Sequence, residues 1–174
     1  NMFIKNYQLL SVVIFSFLCS IVAISCHNTP LKKADTDISV LHEFPNTNWA
    51  FEEQVLIFPF ENPDTTAEYQ IGFLLTYDKE SVQMDQIPVT VTMVAPDGME
   101  SFVTSVFRLH GMDSTSMIST KGLTTIELIA FPKKQLNQKG QYKIRIYRKA
   151  DKADNYGFQS IALKVKPLKK NRLK

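Results

Sequence analysis

The sequence predicts an all-β domain, an antiparallel β-sandwich of about eight strands with Greek-key or jelly-roll-like connections. Apolar residues recur at every second position in several stretches, most clearly at Tyr69, Ile71, Phe73, Leu75 and Tyr77 and again at Ile87, Val89, Val91, Met93 and Ala95. That period puts each set on one face of a strand. Clusters of Pro, Gly, Asn and Asp separate the stretches, and no segment after residue 37 carries an amphipathic helical pattern. Many short strands between turns, without crossover helices, favour two packed sheets over a parallel α/β arrangement.

The chain opens differently. Lys5 is the one charge before an apolar run of 16 residues, Leu9 to Ile24, which is interrupted by Ser11, Ser16 and Ser20. A bilayer-spanning helix needs about 20 apolar residues, so residues 1–25 read as a secretory signal rather than a permanent anchor. Ala23-Ile24-Ser25-Cys26 is similar to the lipobox of bacterial lipoproteins. That resemblance implies cleavage before Cys26 and acylation of its thiol, with Cys26 as the lipid attachment residue. Each buried methylene contributes about 0.8 kcal/mol, so several acyl chains hold a domain on a membrane without a spanning segment. The alternative is an ordinary secretory signal with an incidental cysteine. Cys19 and Cys26 are the two cysteines of the chain; one departs with the signal and the other is blocked by lipid, so the exported domain relies on its core rather than on disulfides. Residues 26–37 are polar and aperiodic, the acylated N-terminus and a tether.

The folded domain is expected over 38–166. Ile38 to Phe44 and Gln54 to Phe60 read as strands closed by turn residues, and Pro59 marks the second as an edge strand. The two strands with the cleanest alternation, around Phe73 and Val91, are expected to pair at the centre of one half-buried sheet. Pro96-Asp97-Gly98 supplies a turn whose glycine takes positive φ. Glu100 to Leu109 has apolar residues on both faces, Val103 and Phe107 against Phe102 and Val106, and is expected to be covered on both. His110 to Gly122 reads as a loop, Leu123 to Phe131 as a strand, and Pro132 to Gly140 as a polar link with room for one helical turn. Gln141 to Arg148 alternates with Tyr142, Ile144 and Ile146 inward against Lys143 and Arg145, and Phe158 to Val165 closes the domain. A basic tail, 167–174, follows and could touch anionic headgroups.

Chemistry is sparse. His27, His42 and His110 lie at no metal-ligand spacing, and the six glycines form no phosphate loop. Neither a metal nor a cofactor is expected. Ser114, Ser116 and Ser119 near His110 lack the turn that frames a nucleophile, and the acidic residues of the loops around Asp64 and Asp78 lack the pattern of a calcium loop. A net charge of +3 gives nucleic-acid binding no support. The expectation is a protein without enzymatic activity. Trp49 is the single tryptophan, read either as a partner anchor or as a core residue. Met112 and Met117, in the loop after His110, are candidate partner contacts because thioethers adapt to varied apolar surfaces.

Asn48-Trp49, the tyrosine-rich strand from Tyr69, Ala95-Pro96-Asp97-Gly98, Phe131-Pro132, Gly140-Gln141-Tyr142 and the final strand after Gly157 are similar in order and spacing to the GldH family of gliding-motility lipoproteins of Bacteroidetes. Tyr147-Arg148-Lys149 departs from the small and Met residues of that pattern. The resemblance implies an accessory lipoprotein of the envelope machinery for gliding and type IX secretion, acting through other envelope proteins. No dense acidic run follows Cys26, which favours a periplasm-facing attachment. Asp64-Thr65-Thr66 and Asp113-Ser114-Thr115 resemble O-glycosylation sites of exported Bacteroidetes proteins, with Thr65 and Ser114 as acceptors. The rival reading is a carbohydrate-binding lipoprotein, which would need exposed aromatic residues along a concave face.

Overall fold

The computed structural model describes residues 37–110, 118–120, 122–149 and 155–168. Its strands are β1 (Ile38–Glu43), β2 (Asn48–Trp49), β3 (Val55–Asn62), β4 (Glu68–Asp78), β5 (Gln86–Val94), β6 (Glu100–Arg108), β7 (Ile118–Thr120), β8 (Leu123–Gln135), β9 (Gly140–Arg148), β10 (Asn155–Tyr156) and β11 (Phe158–Leu168). Short 3-10 turns at Pro45–Thr47 and Phe51–Glu53 flank β2. One sheet has the order β1-β11-β4-β8-β7 and the other β3-β9-β5-β6, while β2 and β10 form a separate ribbon. All pairings are antiparallel.

With the three shortest strands set aside, the connectivity is that of a jelly roll. β1 pairs with β11, β3 with β9, β4 with β8 and β5 with β6. The chain is therefore one long hairpin, rolled so that successive pairs fall in alternate sheets. Its tip is Pro96-Asp97-Gly98. There the Gly98 N–H donates to Ala95 O at 2.9 Å, Met99 O accepts from the Ala95 N–H at 2.9 Å, and Gly98 takes φ +86°. Positive φ at that corner is what glycine permits without a Cβ clash.

Alternation on the inner faces makes the core. Tyr69, Ile71, Phe73, Leu75 and Tyr77 of β4 are all buried, as are Ile87, Val89, Val91 and Met93 of β5 and Tyr142, Ile144 and Ile146 of β9. Phe58 of β3 meets Phe73 edge to face across the sandwich at 5.4 Å, an arrangement that ring quadrupoles favour. Gly72 turns the other way on β4, where a Cβ would lie 2.5 Å from Leu128 O; only glycine lets the two backbones approach that closely.

Several expectations change. β4 and β5 do not pair; each is an interior strand of a different sheet, because the chain crosses between sheets at residues 79–85. Alternation reports an inward face but not which sheet carries it. The outer face of β6 is uncovered, with Phe102 at 74% exposure and Val106 also exposed. No helical turn follows Pro132: β8 runs on to Gln135, and the buried amide of Asn62 donates to Leu136 O at 2.9 Å and Gln138 O at 2.8 Å, holding that segment as a turn. Within the expected loop from His110 to Gly122, Ile118–Thr120 forms β7 against β8. Pro59 does lie on an edge strand, and β11 carries the domain to Leu168 rather than 166.

Candidate interaction surfaces

Antiparallel rolling sorts the connections into two ends. At one end, residues 63–67, 95–99 and 136–139 turn the chain, and both Asp37 and Leu168 lie there because Ile38 pairs with Val165. At the other end lie residues 44–54 and 79–85, together with Leu109, His110, Lys149 and residues 155–157. β4 alone has 11 residues; at about 3.3 Å per residue the ends are roughly 35 Å apart.

The second end is closed by aromatic packing. Trp49 is 0% exposed, stacked on Phe44 at 5.0 Å and edge-on to Phe158 at 6.0 Å. Its indole N–H donates to Glu53 O at 2.9 Å. Trp49 is thus a core plug and presents no face to a partner, a correction to its reading as an anchor. The reason is local: β2 pairs with β10, and the Gly157 N–H donates to Thr47 O at 2.8 Å, which draws the segment over the open end of the sandwich. The buried Arg148 lies over the indole and donates from Nη2 to Ala50 O at 3.2 Å. The sequence carries no signal for it, since an arginine at the end of an alternating strand ordinarily points to water.

His110 sits beside this end, its Nε2 3.1 Å from Val82 O, in a backbone contact that holds the ring in place. Tyr77 donates its hydroxyl to Leu109 O at 2.5 Å, and burial pushes its pKa up. His42 Nε2 and Glu53 Oε2 face each other at 3.8 Å, both shielded from solvent. Met112, Ser114 and Met117 lie outside the described residues, as does Cys26. Thr65 is half-buried in the turn at the opposite end, where its carbonyl accepts from Gln135 Nε2 at 3.3 Å; Asp64 Oδ1 accepts from both the N–H and hydroxyl of Thr66.

The outer face of the four-stranded sheet is a second surface, unforeseen in the sequence. Registered rows run Phe102, Thr92, Arg145, Ile57 and Thr104, Thr90, Tyr147, Val55 across β6, β5, β9 and β3. Phe102, Tyr147, Ile57 and Val55 are all exposed, and Arg145 forms an ion pair with Glu100. A depression of about 220 Å³ beside Val106 is lined by Pro88, Thr90, Thr104 and Lys149. It is smaller than the roughly 300 to 1,000 Å³ of small-molecule sites. Among the described residues, no three His, Cys, Asp or Glu side chains are grouped to hold a metal, and no helix is long and apolar enough to cross a membrane. What this arrangement offers is contact area, with apolar side chains spaced between hydroxyls.

No protein-family model and no curated protein matches the sequence. Among solved structures, the chain is similar to the VP2 subviral particle of infectious bursal disease virus, with 14% identity and a TM-score of 0.37 over 75% of this chain and 33% of that one. The Gx strain of the same virus gives 15% identity and a TM-score of 0.37 over 80% of this chain and 34% of the viral chain. The chain thus spans about a third of the length of these viral proteins.

Proposed function

We propose that this chain is a non-enzymatic lipoprotein of the cell envelope, acylated at Cys26, periplasm-facing, and acting as an interaction or assembly component of gliding-motility or type IX secretion-associated machinery. The observation that carries the reading is the lipobox-like Ala23-Ile24-Ser25-Cys26 ahead of a jelly roll whose entry and exit share one end. The chain enters the domain at Asp37, and Leu109 and His110 lie at the opposite end, roughly 35 Å from that entry. Loops on a rigid scaffold are where recognition commonly resides. Leu168, paired with Glu68, lies at the same end as Asp37, and the sequence after it holds the basic residues Lys169, Lys170, Arg172 and Lys174. Each basic group near an anionic surface contributes about 1 kcal/mol.

Two variants test this. Cys26→Ala is expected to abolish labelling by an acyl-chain probe and to leave the protein soluble or unprocessed. Replacing residues 112–117 with a Gly/Ser segment, sparing Ile118, is expected to preserve the melting temperature while reducing co-purification of envelope proteins. Equal labelling of wild type and Cys26→Ala rules out the anchor. Loss of function in His110→Ala with a silent loop replacement rules out the interaction reading.

Exposed Phe102 and Tyr147 on the outer sheet face favour a second reading, a carbohydrate-binding lipoprotein, because sugar rings stack on aromatic faces. A glycan array separates the two: binding lost in Phe102→Ala and Tyr147→Ala, with envelope partners unchanged, selects the carbohydrate.

A further inference from the structure

Building on the carbohydrate reading above, we propose that the outer face of the four-stranded sheet binds an acidic polysaccharide, a linear glycan carrying carboxylates along its length.

Exposed apolar side chains are concentrated on this face: Val55, Ile57, Phe102, Val106 and Tyr147 all stand there, at positions that the pleat turns away from the core. Phe102 on β6 and Tyr147 on β9 are two strand spacings and one row apart, roughly 12 Å. Thr90 and Thr92 of β5 lie between them. The C–H faces of sugar rings pack on aromatic faces, whose quadrupole is negative, and hydroxyls between the two rings can both donate and accept hydrogen bonds.

Size and charge select the occupant. Four strands about 4.8 Å apart and a length of roughly 20 Å along β9 bound a face of roughly 400 Å², about half of the ~800 Å² that each partner of a standard protein complex buries. The depression of about 220 Å³ between Val106 and Lys149 is too small for a whole small-molecule ligand and suits one ring of a longer chain. Lys143 and Lys149 are exposed on the same face, on either side of Tyr147 and roughly 20 Å apart. The Lys149 N–H donates to Pro88 O at 3.1 Å, which carries the β5–β9 ladder one residue further and keeps that lysine on this face. Arg145, between the two lysines, is held by Glu100, whereas neither lysine is in an ion pair among the described residues. Glu61 stands at a corner, beyond Pro59. Two unneutralised ammonium groups beside an aromatic strip complement a chain of repeated negative charge, and their hydrogen bonds to carboxylates are stronger than those between neutral groups.

Affinity electrophoresis of the full-length protein in detergent, through native gels holding polygalacturonate or its uncharged methyl ester, compares one backbone with and without its carboxylates. Polygalacturonate is expected to retard wild type strongly and the ester weakly, with the difference shrinking as salt is added. Phe102→Ala and Tyr147→Ala are each expected to weaken binding to both polymers roughly tenfold. The double variant Lys143→Gln/Lys149→Gln is expected to lower affinity for polygalacturonate several-fold, to the level of the ester, and to leave the ester unchanged. All four positions are exposed, and circular dichroism confirms folding. Equal affinity for the two polymers, lost in Phe102→Ala, overturns the acidic ligand and leaves the carbohydrate reading in place. Polygalacturonate binding indifferent to both aromatic substitutions reports charge alone and overturns the site. Binding to neither polymer overturns the proposal, and the glycan array then decides the broader reading.

Discussion

The guanidinium carbon of Arg148 lies 5.2 Å from the centre of the Trp49 ring, and both side chains are buried. A cation held against an indole face in a desolvated place contributes about 2 kcal/mol, and the Nη2 donation to Ala50 O ties the same group to the segment before the second 3-10 turn. Trp49→Ala is therefore expected to cost about 3 to 5 kcal/mol, through the cavity it leaves. Arg148→Ala should cost about 2 kcal/mol or more. Tyr156→Ala, on the partner strand but exposed, should stay within about 0.5 kcal/mol. Urea melts of the three variants check the order.

Thr47 takes φ +54° directly after Asn46 at φ +53°. A β-branched residue in the left-handed region is strained by about 1 to 2 kcal/mol, and two hydrogen bonds fix it there: its N–H to Phe44 O at 3.2 Å, and its carbonyl with the Gly157 N–H. Thr47→Gly is expected to raise stability by about 1 kcal/mol, less the entropy that glycine loses on folding. Asn46→Gly should gain less, since asparagine tolerates this region. A lower melting temperature for Thr47→Gly would mean that the threonine side chain makes compensating contacts.

How far the sequence carried the fold can be read from individual residues. Pro59 identified an edge strand because a missing N–H has one cheap place in a sheet. The inward sets on β4, β5 and β9 followed from period-two spacing. Sheet membership did not, because strands such as β4 and β8 meet only after the whole hairpin has been rolled, and nothing local records that step. Phe102 was misjudged for a related reason: an apolar residue on an outward face looks buried in a sequence, although folded surfaces carry much apolar area. At the candidate surfaces, Trp49 was legible as a core residue or an anchor, and burial decides for the core; the strand it pairs with was not legible, since β10 lies far along the chain.

Register on β5 gives a sharp comparison. Val91 is fully buried between Val103 and Ile146 of its neighbours, while Thr90, one position along, faces outward beside Thr104 and Tyr147. Val91→Asp buries a carboxylate among apolar groups, at a cost of several kcal/mol against a total stability of about 5 to 15 kcal/mol. It is expected to unfold the domain at moderate temperature. Thr90→Asp should lower the midpoint only slightly, because the pleat leaves its side chain in water. Similar losses in thermal melts of the two variants would contradict this register.

Acid and alkaline stability should be set by different pairs. The Asp78 carboxyl is held below its usual 3.8, first by the Ser81 hydroxyl and then by the Glu80 N–H. Asp97 is lowered from 3.8 by the Met99 N–H and then by the Gln138 amide. A depressed folded pKa means that the unfolded chain binds more protons, so this stability is present above about pH 4 and is lost as pH falls through the folded values. Tyr69 and Tyr77 are raised above 10.0, chiefly by burial, with the charge of Asp64 adding to Tyr69. Their contribution is full below about pH 10 and fades as pH rises through the higher folded values. Asp97→Asn keeps an acceptor for the Met99 N–H at the tip of the long hairpin but removes the titration. It is expected to make stability less dependent on pH below about 4 while leaving the alkaline limb unchanged, and Tyr77→Phe should soften only the alkaline limb. Urea midpoints measured across both pH ranges separate the two effects; an acid limb identical in wild type and Asp97→Asn would assign that limb to other carboxylates.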